Sequence, residues 1–324
     1  MVRDGGFNLT ENKTNNENIE KKRSKKWLWI TLSIIGVLII GVAGYIFSVY
    51  KQVESTVGRM YEPLESDIQK KETVEKALEE KEPINILLLG VDERTYDRGR
   101  SDTMIFLSLN PNTDQILMFS IPRDTYVEIP GRGWDKINHA YAFGGLELSV
   151  ETVEKFLDTT VHFYAWVNMD GFKDGVDAVG GVTVNNTFSF DSGGYQFDEG
   201  LIDLNGDAAL AYVRMRYQDP RGDFGRAQRQ RQVIQAAMNE AASFSSFTRI
   251  DDILQAVGNN VRTNMDMADM QDIFWNYRNT RRDIVMDEIS GYGQYLDRVW
   301  YLMLTDEELG RIRDVVSQHV EASS

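Results

Sequence analysis

The chain has 324 residues, no cysteine, three histidines and a formal net charge of −15. Without cysteine it has no disulfide, no thiol nucleophile and no cysteine-ligated metal site. The histidines lack the spacing of a zinc motif such as HExxH, so any bound metal is expected to be a hard cation with oxygen ligands.

The first 50 residues have the pattern of a membrane anchor. Residues 1–26 form a polar tail, predicted to be disordered, that ends in the basic run KKRSKK. The next 24 residues, 27–50, carry no charge and are long enough to cross a bilayer core of about 30 Å as a transmembrane helix. A cleaved signal peptide is the alternative, but the apolar run is longer than the h-region of such a peptide.

The basic run also predicts the orientation of the chain. Positive residues beside a membrane span stay in the cytoplasm, so the chain beyond residue 50 is expected to be extracellular. Residues 1–26 hold seven Lys/Arg and four Asp/Glu, which leaves 28 basic and 46 acidic residues beyond them, a net charge of −18. A domain of that charge is a poor ligand for nucleic acid, and no nucleic-acid partner is predicted.

Residues 51–83 have apolar residues at helical spacing, interrupted at Pro63, and are predicted to form a helical juxtamembrane stalk. Residues 84–324 are predicted to be one α/β domain, a layered α-β-α structure around a mixed central sheet. The continuous apolar run INILLLG at 84–90 is typical of a strand buried on both faces. TMIFLSL and ILMFSI, joined by the turn NPNTD, predict a hairpin.

Further elements alternate along the domain. Strands are predicted at 162–167, 182–184 and 298–304, and the longest helix is predicted at about 226–243.

The first three strands predict a site at one edge of the sheet. If they are antiparallel neighbours, the loop between the first two meets the end of the third. The charged residues that this brings together are Asp92, Arg94, Arg100, Asp102, Arg123 and Asp124. Two aspartates at the ends of one loop suit a shared Mg²⁺, which completes its shell with phosphate and water. Loop charges paired with one another explain the same spacing, so both interpretations stay open.

A second charged feature is the stretch RYQDPRGDFGRAQRQRQ at 216–232, which has five arginines and no lysine. Arginine binds phosphate through two parallel donors, so this stretch suggests an anion site; a solvated charged face is the alternative. On the predicted helix, Arg226 and Gln230 continue the apolar line of Ile234, and an inward arginine needs an anion. Arg229 lies one step off that line and is expected to reach the same cleft.

The other charged residues of this region have different expected positions. Arg231 and Gln228 are expected to face solvent, and Arg221 to lie in a solvated loop. Arg214 and Arg216 alternate with a methionine, so both are expected on one side of an extended segment.

Several blocks of the domain resemble the LytR–CpsA–Psr family of Gram-positive cell-envelope proteins. In the family's order they are LLLGVDER, RSDTMIFLSLNP, SIPRDTYVEIPG, DKINHAYAFGG, LNGDAALAYVRMR and GDFGRAQRQRQV, and they cover most of residues 85–240. The resemblance implies a phosphotransferase that moves an anionic glycopolymer, such as teichoic acid or capsular polysaccharide, from an undecaprenyl-pyrophosphate carrier to peptidoglycan. It also implies an apolar lipid channel inside the domain.

The resemblance further implies roles for individual residues. Asp92 and Asp102 match the family's ligands of Mg²⁺, for which Mn²⁺ is an alternative. The residues that match or adjoin its pyrophosphate site are Arg100, Arg123, Lys136, Arg214, Arg216, Asp223, Arg226, Arg229 and Gln230. Arg123 and Arg226 are expected to be catalytic, as is Asp124, the candidate general base for the acceptor hydroxyl. Asp92 is the alternative base.

Two other functions are compatible with the same residues. Fixed arginines and a divalent cation would stabilise the charge on a pyrophosphate leaving group in a transferase and equally in a membrane-anchored pyrophosphatase. A non-enzymatic protein that binds the lipid carrier or regulates the envelope would also use them. An acceptor groove beside the site would distinguish the transferase, and the sequence does not reveal one.

Overall fold

The chain begins with one long helix. The structure, a computed structural model, describes residues 13–91, 99–241 and 250–323, and helix α1 is Lys13–Met60. The chain divides into two compact units, Met1–Val53 and Glu54–Ser324. Within α1, Trp27–Met60 is long and apolar enough to cross a membrane, with a mean hydropathy of 2.4 in its most apolar window. One long apolar N-terminal helix is therefore confirmed, while its orientation stays a prediction.

Six strands form a mixed central sheet in the second unit. From one edge to the other they are β11 (Val261–Thr263), β6 (Phe163–Asn168), β1 (Ile84–Val91), β2 (Ser101–Asn110), β3 (Gln115–Ser120) and β12 (Asp283–Glu288). β2 is antiparallel to both β1 and β3, whereas β6 is parallel to β1 and β12 is parallel to β3. The last residues of β1, β3, β6 and β12 consequently lie at one edge of the sheet, where β2 begins.

The remaining strands pair in small hairpins and ribbons. They are β4 (Tyr126–Ile129) with β5 (Gly133–Lys136), β7 (Val182–Asn186) with β10 (Gly200–Leu204), β8 (Phe190–Ser192) with β9 (Tyr195–Phe197), and β13 (Tyr292–Leu296) with β14 (Val299–Met303). The helices after α1 are α2 (Asp67–Glu80), α3 (His139–Leu157), α4 (Met169–Val179), α5 (Gly206–Arg214), α6 (Asp223–Ala241), α7 (Ile250–Asn260), α8 (Met267–Tyr277) and α9 (Asp306–Glu321).

Helices cover both faces of the sheet, as predicted. Side chains alternate along β2, so Phe106 packs on one face with Val153 of α3 and Ile312 of α9. Its neighbour Leu107 packs on the other face, in a cluster that includes Leu78 of α2 and partly buried residues of α6 and α8. The layered α-β-α fold around a mixed sheet is therefore confirmed, and β1 is buried on both faces.

The segment before the sheet belongs to the same compact unit. Met60 and Leu64 are buried, and Tyr61 forms a β-bridge with Thr263 beside β11. Helix α2 also buries Leu78. Of this segment, residues 51–60 lie in α1 and residues 67–80 in α2, and the helical stalk and the boundaries predicted for tail, span, stalk and domain stay predictions.

Candidate functional site

The turn after β3 carries the first half of the site. Thr125 Oγ1 donates a hydrogen bond of 2.7 Å to the carbonyl of Pro122, which closes the turn. Arg123 lies within it, and its Nη1 donates to Oδ1 of Asp102, the second residue of β2, at 2.8 Å. Its Nε lies 3.4 Å from Oδ2 of Asp124. The β2–β3 hairpin thus brings Asp102 and Arg123 together as the strand order predicts.

Asp124 is held by two neighbouring elements. Lys136 of β5 donates a hydrogen bond of 2.5 Å to Asp124 Oδ1, and both side chains are largely buried. The backbone N–H of Leu302 in β14 donates to the Asp124 carbonyl at 2.9 Å. The carboxylate is therefore fixed in position, which a group that reacts with a bound substrate requires.

Helix α6 provides the second half of the site from its first turn. Arg226 Nη2 lies 2.7 Å from Asp223 Oδ1, and the Arg226 side chain is only 14% exposed. Arg216 Nε lies 3.6 Å from the same carboxylate oxygen. Asp223 therefore sits between two arginines and partly neutralises them.

The environments of Arg123 and Arg226 shift their pKa values in opposite directions. Burial opposes the charge on Arg123, but its hydrogen bond to Asp102 and the nearby carboxylates outweigh burial and raise its pKa. Burial lowers the pKa of Arg226, Asp223 opposes that effect, and the charge of Arg123 adds to it. An anion bound between the two guanidinium groups would favour the charged form of Arg226. It would offset both the desolvation caused by burial and the repulsion by Arg123.

These residues surround two adjacent spaces. The polar cavity encloses about 560 Å³ including its open mouth, and its polar lining includes Asp102, Ser120, Arg123, Asp124, Asp223, Arg226, Gln230, Arg231 and Glu288. The apolar pocket encloses about 1010 Å³ including its mouth, and its apolar lining includes Leu88, Val167, Met169, Phe172, Leu210, Val213 and Ile234.

The two spaces meet at a short polar wall. Asp102, Thr103, Arg226 and Gln230 line both of them. The line Arg226, Gln230, Ile234 along α6 faces inward as the helical periodicity predicts, since Ile234 lines the apolar pocket. A ligand with an anionic group at this wall and an apolar chain attached to it would fit both spaces.

Other predicted residues lie around this wall. Arg214, at the end of α5, is exposed and lines the apolar pocket. Arg100 is exposed immediately before β2, and Arg216 is 39% exposed beside Asp223. Asp92, which is predicted to bind a metal and to be the alternative base, lies outside the described residues, as does Arg94.

The prediction that Arg229 reaches the cleft is wrong. Its side chain is 5% exposed and its Nη1 pairs at 2.5 Å with Asp219, which is buried to the same extent. Nε and Nη2 donate to the carbonyls of Tyr212 and Met215, at 3.2 and 2.5 Å. The loop after α5 therefore satisfies this guanidinium inside the protein, where it stabilises the loop instead of binding a ligand.

Replacing Asp219 by alanine is expected to lower the free energy of unfolding by about 3–5 kcal/mol, because it leaves the Arg229 charge buried without its partner. Urea unfolding of the protein in detergent measures the change. Glu75→Ala is the matched control, since it removes one partner of the exposed Lys71–Glu75 pair and should leave stability unchanged. Equal stability of Asp219→Ala and the wild-type chain would contradict this assignment.

Arg231 was expected to face solvent, and the structure reverses that expectation. Its side chain is 5% exposed, lines the polar cavity and donates to Ser120 Oγ at 2.9 Å. Oε2 of Glu288, the last residue of β12, lies 3.7 Å from Arg231 Nη2. Arg231 Nε is buried and has no hydrogen-bond partner among the described residues. The unpaired donor adds a third arginine to the cavity. No sequence signal indicated this position, because the burial of Arg231 depends on Ser120 and Glu288, which are distant along the chain.

The oxygen donors at the wall fit a hard divalent cation. Asp102 lines both spaces and its side chain is 36% exposed. Among residues 13–91, 99–241 and 250–323 there is no cluster of three or more His, Asp or Glu suited to a metal ion. Mg²⁺ needs only one or two protein carboxylates when phosphate oxygens and water complete its shell, so Asp102 suits a metal that binds together with a phosphate ligand.

Comparison with known families decides the relationship of this chain. The LytR_cpsA_psr family model matches residues 47–317. The chain belongs to the LytR_cpsA_psr family. All described residues of both spaces lie within the matched range, so the polar wall is part of the family domain.

Relatives in the LytR_cpsA_psr family match over nearly their full length. The chain is 51% identical over 313 residues to the polyisoprenyl-teichoic acid–peptidoglycan teichoic acid transferase TagU of Oceanobacillus iheyensis, covering 94% of this chain and 98% of that protein. It is 45% identical over 304 residues to TagU of Bacillus subtilis, covering 93% and 99%.

Solved structures of the family share the fold. The crystal structure of B. subtilis TagU matches with a TM-score of 0.61 at 44% identity, covering 75% of this chain and 99% of that one. A structure of TagT bound to LIIa-WTA matches with a TM-score of 0.64 at 31% identity, covering 75% and 92%.

Proposed function

We propose that this protein is a membrane-anchored phosphotransferase that attaches an anionic glycopolymer of the teichoic acid type to peptidoglycan. The donor is the glycopolymer linked to undecaprenyl pyrophosphate. The observation that carries the proposal is the wall of Asp102, Thr103, Arg226 and Gln230, which lines both an arginine-lined cavity and an apolar pocket. A lipid-linked pyrophosphate has the same two parts in the same order.

The donor binds across that wall. Its prenyl chain occupies the apolar pocket, where burial of apolar surface contributes about 25 cal/mol per Å². Its pyrophosphate lies among Arg123, Arg226 and Arg231, whose planar guanidinium groups match phosphate oxygens. Gln230 donates a hydrogen bond from the same helix face, and Arg214 and Arg216 contribute positive charge from the end of α5 and the segment that follows it.

Transfer breaks a phosphoanhydride bond of the donor and forms a phosphate ester bond to the acceptor. A hydroxyl oxygen of peptidoglycan bonds to the phosphorus that carries the glycopolymer, and the bond from that phosphorus to the oxygen shared with the lipid phosphate breaks. The lipid leaves as its monophosphate, and Asp124 takes the proton of the hydroxyl. Arg123, Arg226 and Arg231 are preorganised to stabilise the negative charge that develops on the leaving phosphate.

A divalent cation fits this proposal. Asp102 would hold Mg²⁺, or Mn²⁺ in its place, together with phosphate oxygens of the donor and with Asp92 if that residue adopts its predicted role. When bound, the cation would supply further positive charge against the leaving phosphate. Helix α1 would anchor the enzyme, with its basic N-terminal tail in the cytoplasm and the catalytic domain extracellular.

The test is transfer by the full-length protein in nanodiscs from a synthetic undecaprenyl-pyrophosphate-linked sugar to a peptidoglycan oligomer. Wild-type protein is expected to give product only with Mg²⁺ or Mn²⁺, and Asp102→Ala should raise the metal concentration for half-maximal rate by about tenfold or more, since it removes a carboxylate ligand. Release of lipid phosphate with no coupling to peptidoglycan would instead establish a pyrophosphatase. Donor binding without turnover under any metal would establish a binding protein.

A further inference from the structure

A second groove lies on the far side of β14 from the polar cavity. Its walls come from the β4–β5 hairpin, the end of β14 and the facing ends of α3 and α9, and it encloses about 1060 Å³ including its mouth. We call it the aromatic groove and define it by Tyr126, Trp134, Lys155, Met303 and Arg313. None of these residues has a part in the donor site described above.

Strand β14 separates the aromatic groove from the donor site. Alternate residues of a strand point to opposite sides, and Trp300 and Leu302 line the polar cavity. Tyr301 and Met303 point the other way, and Met303 lines the aromatic groove. One short strand therefore forms a wall common to both spaces.

A chain of ring contacts leads from the open groove to Asp124. The Trp134 ring lies 5.2 Å from the Tyr126 ring, and the Tyr126 ring meets the edge of Tyr301 at 5.0 Å. Lys136 Nζ lies 5.6 Å from the Tyr301 ring centroid and donates to the Asp124 carboxylate. A continuous series of side-chain contacts thus links the exposed end of the groove to the group that would deprotonate the acceptor.

The groove combines apolar rings with fixed charges. The Trp134 side chain is 61% exposed, although burying an indole ring is favourable, so it is available to a ligand. Charges of both signs flank the rings: Lys155 Nζ pairs with Glu128 at 2.7 Å, and Asp306 lines the groove as well. Arg313 is fixed by hydrogen bonds to the carbonyls of Phe156 and Lys155 and has its charge at the groove. Such a surface suits a ligand with flat apolar faces, many hydroxyls and some carboxylates, whereas a lipid would not match its charges.

We propose that the aromatic groove binds the acceptor: a glycan strand of N-acetylated amino sugars with a carboxylate that faces Arg313. This inference rests on the proposed function and identifies where its second substrate lies. The apolar C–H faces of the sugar rings stack on Trp134 and Tyr126. The strand then directs one sugar hydroxyl past Tyr301 toward Asp124.

Binding of the acceptor is measured first without donor, so that no turnover is needed. Full-length protein in nanodiscs is titrated with soluble, lipid-free glycan oligomers of peptidoglycan that carry stem peptides. Trp134→Ala is expected to raise their Kd by about tenfold, as for an exposed aromatic residue at the centre of a binding surface. Trp134→Phe should recover most of the affinity because it restores a ring. The matched control is Trp275→Ala, a tryptophan of 63% exposure on α8.

The transfer assay then separates the acceptor groove from the donor site. In Trp134→Ala the KM for the glycan acceptor should rise with its Kd, while the KM for the lipid-linked donor stays at the wild-type value. Weaker oligomer binding in Trp134→Ala supports the groove even if no variant transfers polymer, a result that would overturn only the proposed function. Wild-type binding by Trp134→Ala, or no oligomer binding by the wild-type chain, overturns the groove. The groove is also overturned if the wild-type chain forms a dimer that Trp134→Ala dissociates and that the glycan oligomers leave intact.

Discussion

Replacing Arg226 by alanine is expected to lower kcat/KM for the lipid-linked donor by about 10²–10³-fold, the cost of losing one preorganised donor to a developing oxyanion. Arg226 lies at the wall shared by the polar cavity and the apolar pocket, and it is largely buried. In the proposed binding mode it contacts the donor where the pyrophosphate and the lipid join, and no other described arginine lines both spaces.

Two further variants make the Arg226 result specific. Arg226→Lys keeps the charge but has no planar fork, so its kcat/KM should lie between those of the wild-type chain and Arg226→Ala. Arg281→Ala removes an exposed arginine from the 3₁₀ turn before β12 and should have no effect. Melting temperatures of all variants identify any loss of folding. A folded Arg226→Ala protein with wild-type kcat/KM would remove Arg226 from the mechanism.

The sheet edge could be predicted because its determinants are local. Two β-rich runs joined by a short turn pair as an antiparallel hairpin, and the register Ile105 opposite Ser120 follows from the four-residue turn at 111–114. The hairpin places the start of β2 beside the end of β3, which is why Asp102 and Arg123 meet. The inward line of Arg226 and Gln230 also needed only the helical period.

Neither Arg229 nor Arg231 lies where helical periodicity predicts it. The two residues are about 200° apart around α6, so the helix itself does not determine which partner each one meets. Arg229 is buried because the loop from 215 to 222 folds over it and presents Asp219. Arg231 is buried because β3 and β12 place Ser120 and Glu288 beside it. Both environments come from residues distant in the chain or from an irregular loop.

The groove beside the site escaped prediction for a related reason. Trp134 lies in the turn-rich segment GRGWDK, where a four-residue strand gives too short a pattern to recognise. Met303 of β14, which lines the same groove, is more than 160 residues away along the chain, and strand β12 was also not predicted. β12 is an edge strand with exposed Val285 and Met286, so it lacks the clean alternation of a half-buried strand.

Asp124 lines the polar cavity and is linked through Lys136 to the Tyr301 ring. A substitution of Asp124 therefore distinguishes transfer from simple binding. Asp124→Asn is expected to lower kcat by about 10²-fold or more, because an amide does not accept the proton of the attacking hydroxyl. The Kd for the lipid-linked donor should change little, since Arg123, Arg226 and Arg231 stay in place. Single-turnover transfer with saturating donor and acceptor measures the first value, and equilibrium titration of the donor measures the second.

The control for Asp124→Asn is Asp114→Asn, at the far end of the same β2–β3 hairpin. Asp114 has φ of +54°, a left-handed conformation that asparagine also adopts readily, so that variant should fold and transfer normally. If Asp124→Asn transfers at the wild-type rate, the proton goes elsewhere, and Asp92 becomes the candidate base. If it instead loses donor binding along with turnover, Asp124 acts by holding Arg123 and Lys136 in position. Loss of kcat with donor affinity retained identifies the carboxylate as the group that activates the acceptor.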